Sequence, residues 1–127
     1  MATVELTTEN FDSVVGSADF ALVDFWASWC GPCRMFGPIF ERASEKHSDL
    51  VFAKVDTEAQ PDLAQAFSIT SIPTLMVIRD KVILYAQPGA LPEVSLEQLI
   101  SQAREVDMDE VKAGISEKQA TGAGAGE

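Results

Sequence analysis

The sequence predicts an α/β domain: a central mixed five-stranded sheet flanked by four helices, with a C-terminal extension. Three observations carry that prediction. Apolar runs of strand length alternate with segments of helical spacing from Thr3 to Arg104. One run, Phe20 to Ala27, is apolar on both faces apart from Asp24, which places it inside a sheet covered on both sides. Two later runs, Pro73 to Arg79 and Val82 to Ala86, are separated only by Asp80-Lys81. So short a turn cannot make a crossover, so that pair is antiparallel.

Thr3 to Leu6 alternates polar and apolar residues and predicts a short edge strand. Thr7 to Val15 offers a threonine cap, early acidic residues, and Phe11, Val14 and Val15 at helical spacing, with Gly16-Ser17 as the stop. The strand from Phe20 follows. Gly31 to His47 is the long helix. Met35, Phe36, Ile39, Phe40 and Ala43 form its expected buried stripe, and Arg34, Glu41, Arg42, Glu45 and Lys46 its wet face. Pro32 suits a first helical turn, where its missing N–H is not needed. Pro38 is interior and predicts a kink. Gly37 before it weakens the same turn by about 1 kcal/mol relative to Ala.

Leu50 to Asp56 predicts a third strand, and Glu58 to Phe67 a short helix with Leu63, Ala64 and Phe67 inward. After the hairpin, Gly89-Ala-Leu-Pro is a loop, and Ser95 to Arg104 is a helix capped by Ser95. The domain is expected to occupy residues 1–106, followed at 107–127 by an acidic, then Gly/Ala-rich tail. Val106, Met108, Val111 and Ile115 give weak helical periodicity. Thr121 to Glu127 holds no core-forming side chain and is expected to be disordered. The tail has two readings: a solvated appendage, or a further docked turn at Val111 and Ile115.

A chain of 127 residues has room for one sizeable core. Its 9 basic and 20 acidic residues give a net charge of −11, which argues against a broad nucleic-acid or anionic-membrane interface. No apolar run is long enough to span a membrane. The N-terminus, Met-Ala-Thr-Val-Glu-Leu, lacks a basic stretch followed by an apolar one, so a cytoplasmic location is expected. In that compartment two cysteines are poorly suited to a permanent staple.

Those two cysteines lie in Trp29-Cys30-Gly31-Pro32-Cys33, at a strand-to-helix junction, with Asp24 in the preceding strand. This pattern reads as a dithiol/disulfide redox site. The plainer alternative is a stable helix-terminal disulfide, but so short a loop would constrain the unfolded chain little. Two cysteines and one distant histidine, His47, fall short of four zinc ligands, so no metal is expected.

The five-residue motif resembles the active site of the thioredoxins. The resemblance extends from about Phe20 to Leu99: Asp24 in its strand, Pro38 in the helix, Lys54-Val-Asp56, Ile72-Pro73-Thr74 and Gly89-Ala-Leu91. It implies the thioredoxin fold and a protein-disulfide reductase that cycles a Cys30–Cys33 dithiol/disulfide. Cys30, at the helix start where the dipole favours a thiolate, is expected to be the exposed nucleophile. Cys33, one turn on, is expected to be the buried resolving thiol. Gly31 and Pro32 between them bear on redox potential.

The resemblance further implies that Asp24 accepts the Cys33 proton with Lys54 as its partner; a structural buried salt bridge is the alternative. It implies a cis bond before Pro73, and a docking surface of Trp29, Gly31, Pro32, Ile72, Pro73, Gly89 and Ala90. Trp26 is expected in the core. No cofactor is expected to be bound. Electrons would come from an FAD-containing, NADPH-dependent thioredoxin reductase and pass to target proteins such as peroxiredoxins or reductases, with the chain a monomer. An isomerase or oxidant on the same fold, and a binding subunit that does not need its thiols, are the competing functions. The sequence departs from the family pattern at Asp80-Lys81, at Pro88 and in the tail.

Overall fold

A computed structural model describes residues 3–122, and the side chains of residues 3–115. The elements in chain order are β1 (Thr3–Glu5), α1 (Phe11–Gly16), β2 (Phe20–Trp26), α2 (Gly31–Lys46), β3 (Val51–Asp56), α3 (Pro61–Ala66), β4 (Thr74–Arg79), β5 (Val82–Pro88), α4 (Glu93–Glu105) and α5 (Met108–Gly122). The five strands form one sheet in the order β1-β3-β2-β4-β5. β2 is central, parallel to β3 and antiparallel to β4. Its first six residues are buried, as a doubly covered strand requires. β4 and β5 form the antiparallel hairpin. Asp80 and Lys81 turn it with φ of 52° and 68°, the left-handed pair that suits a two-residue hairpin loop.

Strand alternation divides the core into two layers. Phe20, Leu22, Phe52, Leu75 and Val77 pack with Phe36, Phe40 and Ala43 of α2 and with Leu96, Ile100 and Ala103 of α4. Val23, Phe25, Ala53, Val55, Met76 and Ile78 pack on the other face with Val15 and Leu63 from α1 and α3. Polar contacts tie α4 to α2 and the loop after it. Arg42 and Lys46 both reach Glu93, and Arg104 pairs with Asp49. Arg104 also donates to His47 Nδ1, so the other ring nitrogen, Nε2, carries the proton that reaches Glu97 at 2.7 Å.

Several sequence expectations need correction. Five helices accompany the sheet among the described residues, rather than four. The extra one, α5, starts where Asp107 accepts the Glu110 N–H at 3.1 Å, as an N-terminal cap does. Met108 is buried and Lys112 pairs with Asp80 at 3.1 Å, which fastens α5 to the far end of the sheet. The expected disorder from Thr121 onward falls mostly on residues 123–127, outside those described.

Helix starts were displaced as well. α1 begins at Phe11, because Thr7 and Asn10 bond each other reciprocally and form a turn ahead of it. α3 begins at Pro61, because Asp56 Oδ1 takes the N–H groups of Glu58 and Ala59 and curls that segment into a turn. α4 begins at Glu93, with Pro92 in extended conformation before it, so Ser95 is inside the helix and caps nothing. Met35 is 71% exposed rather than buried. The inward stripe of α2 is Cys33, Phe36, Phe40, Ala43 and Ser44, and Met35 falls outside that arc. α2 runs through Pro38 without ending.

Candidate active site

β2 delivers the chain to α2 through Ala27–Trp29, and Cys30 becomes the N-cap of α2 in extended conformation. Its sulfur accepts the Cys33 N–H at 3.2 Å, which supplies one of the bonds a helix start lacks. Pro32 occupies the first turn, where its missing N–H leaves nothing unpaired. One turn separates the cysteines. Their Cα atoms lie 5.2 Å apart and their sulfurs are joined in a disulfide.

Both cysteines are only 4% exposed, so the expected contrast between an exposed Cys30 and a buried Cys33 is absent in the disulfide form. The reason is local packing. Ala27, Trp26 and Ile72 close on the pair, and Cys30 Sγ lies 3.7 Å from the Ile72 carbonyl oxygen. The Ile72–Pro73 peptide is cis. Pro73 in turn accepts the Gly89 N–H at 2.8 Å, with Gly89 at φ +113°, where glycine is favoured. Ile72, Pro73 and Gly89 are thereby joined to the cysteines. Gly31 borders the pair within α2, and Ala90 is exposed beyond Gly89. Trp29 is 65% exposed and is not among the apolar residues packed on the disulfide.

Asp24 is 1% exposed, and no protein group donates to either carboxylate oxygen. Alternation from Phe20 and Leu22 turns it toward the α2 face. Burial pushes its pKa up to about 7, with the Lys54 charge partly offsetting the rise. Lys54 sits opposite Asp24 in the β2–β3 register. Yet its amine makes no ion pair with Asp24 and lies instead 5.0 Å above the Trp26 ring. The sequence reading of Trp26 as core missed this double contact, with the cysteines and with Lys54. Period-two alternation from Asp24 was the available signal, since it sets both side chains on one face.

A redox disulfide at a helix N-terminus, above a strand carrying a buried carboxylate, defines a thiol–disulfide oxidoreductase of the thioredoxin fold. The thioredoxin family model matches residues 2–102, and the chain belongs to that family. It is 62% identical to a putative thioredoxin 2 of Streptomyces coelicolor over 119 residues, 94% of this chain and 89% of that one. It is 42% identical to a thioredoxin of Mycolicibacterium smegmatis, over 80% of this chain and 95% of that one. A solved structure of Plasmodium falciparum thioredoxin superposes with a TM-score of 0.73 at 33% identity, over 79% of this chain and 98% of that one. The chain is thus a thiol–disulfide oxidoreductase with a thioredoxin redox function, working with thioredoxin reductase and disulfide-bearing proteins in general. Among the described residues, no helix is long and apolar enough to cross a membrane.

Proposed function

We propose that the chain reduces protein disulfides in the cytoplasm as a monomer, through the Cys30–Cys33 pair, with residues 1–106 sufficient for activity. The Cys30 thiolate attacks a target disulfide; the target S–S bond breaks, a Cys30–target bond forms, and one target sulfur leaves as thiolate. Cys33 then gives its proton to Asp24 and attacks Cys30. The mixed disulfide breaks, the Cys30–Cys33 bond forms, and the second target sulfur leaves. Two electrons pass to the target, and its two thiolates take up the proton held by Asp24 and one from solvent. An FAD-containing thioredoxin reductase returns the electrons from NADPH, and peroxiredoxins or other reductases are the target class. Trp29, Gly31, Pro32, Ile72, Pro73, Gly89 and Ala90 form the docking surface, with the Ile72 backbone pairing an extended target segment.

The observation that carries this reading is the Cys30–Cys33 disulfide at the N-terminus of α2, with Cys33 N–H directed at Cys30 Sγ. That N–H is poised to stabilise a Cys30 thiolate once the bond is reduced. The test is insulin-disulfide reduction with NADPH and thioredoxin reductase. Turnover is expected from the parent and from the 107–127 deletion, and none from the Cys30→Ser, Cys33→Ser double variant. The single Cys33→Ser variant is expected to retain targets as mixed disulfides. Undiminished function in the double variant would mean a binding role that needs the fold and not the thiols.

A further inference from the structure

The segment that leads from α3 into β4 borders the cysteines on one side and a pocket on the other. Ile72 lies against Cys30, with its carbonyl oxygen 3.7 Å from Sγ. Its neighbours Ser71 and Thr74 line a cavity of about 160 Å³ together with Ala86 and Pro88 of β5. Cys30 caps α2, which packs on one core layer, whereas Phe67 and Ile69, which also line the cavity, pack on the other. Among the described residues no charged side chain lines it. Its polar groups are hydroxyls. Ser68, Thr70 and Ser71 are exposed beside it, and buried Thr74 donates to the Ser71 carbonyl and holds that wall in place.

Ser68 is kept against the preference of its backbone. The Ile69 N–H donates to the Ala64 carbonyl at 2.9 Å and the Ser68 N–H to that of Gln65 at 3.0 Å, the pair of bonds that ends a helix on a left-handed residue. Ser68 is that residue, at φ 55°. Glycine adopts this conformation freely and serine does not. What serine adds is a hydroxyl at the pocket. β5 makes the complementary choice: Ala86, opposite Met76 in the hairpin, is exposed, and its small side chain leaves the cavity open.

We propose that this cavity is a target subsite that takes an uncharged amide side chain, Gln or Asn, next to the target cysteine. The proposal rests on the reading that an extended target segment pairs with the Ile72 backbone. Successive side chains of an extended segment point to opposite sides. A target sulfur directed at Cys30 therefore turns the two flanking side chains away from the cysteines, to the side on which Ser71 and Thr74 line the cavity. Hydroxyls both donate and accept, which matches the N–H and C=O groups of an amide. The apolar walls cover its methylenes. A carboxylate or an ammonium would lose water there and find no counter-ion.

The experiment uses the full chain with NADPH and thioredoxin reductase. The substrates are insulin and the disulfide-linked dimers of Gly-Gln-Cys-Gln-Gly, Gly-Ala-Cys-Ala-Gly and Gly-Leu-Cys-Leu-Gly. Each peptide kcat/KM is divided by the rate of reduction by dithiothreitol, which removes differences in disulfide reactivity. The glutamine peptide is expected to exceed the alanine peptide by about fivefold, and the leucine peptide, of similar size without the amide, to fall below the glutamine peptide. Ala86→Phe fills the cavity and is expected to abolish the glutamine preference. Ser68→Gly is expected to weaken that preference while raising Tm, because glycine relieves the left-handed backbone. Ile83→Phe, on the same strand and face but outside the cavity, is expected to keep the parent ratio. A parent that reduces insulin but shows equal normalised rates for the three peptides overturns the proposal alone, as does a glutamine preference that survives Ala86→Phe. A parent that reduces neither insulin nor the peptides fails the disulfide-reductase reading and takes the subsite with it.

Discussion

Asp24 and Arg79 face the same side of the sheet from opposite ends, and the protein treats the two charges in opposite ways. Antiparallel pairing sets Asp24 opposite Leu75, toward the cysteines, and Arg79 opposite Phe20, at the far end. Arg79 Nη1 donates to the carbonyls of Ala103 at 2.9 Å, Arg104 at 3.4 Å and Val106 at 3.1 Å. Its guanidinium lies 5.4 Å over the Phe20 ring. A cation is thus placed at the C-terminal end of α4, on carbonyls of its last turn and of the Val106 cap, where the helix dipole favours positive charge. Asp24 is more deeply buried and has no donor at all. At the far end only Arg79 Nε is left without a partner, while its Nη1 holds three acceptors; at the cysteine end both Asp24 oxygens are bare. A proton acceptor must be able to change charge near the working pH, and a carboxylate held by three donors could not.

The largest expected effect that can break this contrast belongs to Asp24→Asn. The folded-state pKa of Asp24 is raised to about 7 from 3.8, so the folded state holds a proton that the unfolded chain has lost. Stability from this group is therefore full below about pH 4, declines as pH rises toward 7, and is absent above it. The pKa difference corresponds to roughly 4 kcal/mol. Asp24→Asn is expected to remove that pH dependence and to stabilise the fold at pH 8 by about 2–4 kcal/mol, while matching the parent at pH 4. Denaturant titrations at the two pH values measure it. Reduction of target disulfides is expected to slow on the order of 10²-fold. A variant less stable than the parent at pH 8 would show that Asp24 is held structurally, as Arg79 is.

Arg79→Met tests the other side. Removing the donor takes it from the Ala103 and Arg104 carbonyls of α4 and from that of Val106 just after it, and the expected loss is about 3 kcal/mol, or a fall in Tm on the order of 10 °C. Insulin reduction at 25 °C is expected to be unchanged. If turnover falls with stability, the two ends of the sheet are coupled and the contrast is weaker than the geometry indicates.

The two ends also differ in how much of them the sequence disclosed. Asp24 stood out because a carboxylate interrupts a run of strand apolar on both faces, a local violation visible within eight residues. The cysteine pair was local too, as was the hairpin at Asp80-Lys81. Arg79 ends a strand, where a cation is ordinary, and its acceptors lie 24 to 27 residues away. No local pattern encodes that meeting. The same holds for Cys30: helix position predicted an accessible sulfur, but Ile72, from a loop 42 residues on, lies against it. Met35 and Ser95 were misread for a different reason. Hydrophobic spacing admits neighbouring choices of stripe, and Pro92 started α4 before the favoured cap was reached.

α5 supplies the smallest expected effects, and they decide whether the Arg79 end includes it. Met108 is buried, and Met108→Ala is expected to lose about 2 kcal/mol, the low end for a truncated core methionine. Lys112–Asp80 is a different kind of contact. The Lys112 side chain is 49% exposed and that of Asp80 27%, so water and salt screen the pair. Lys112→Ala is expected to lose less than about 0.5 kcal/mol at low salt and less still at high salt, with insulin reduction unaffected. Asp80 keeps its place without that partner, because its N–H donates to the Asp19 carbonyl at 3.0 Å and holds the start of the turn. Thermal melts of the two variants at low and high salt separate the contributions. A salt-insensitive loss as large as that of Arg79→Met would mean that α5 is locked to the hairpin by the ion pair itself. The expected result is that apolar burial at Met108 attaches the helix and that the ion pair only sets its direction.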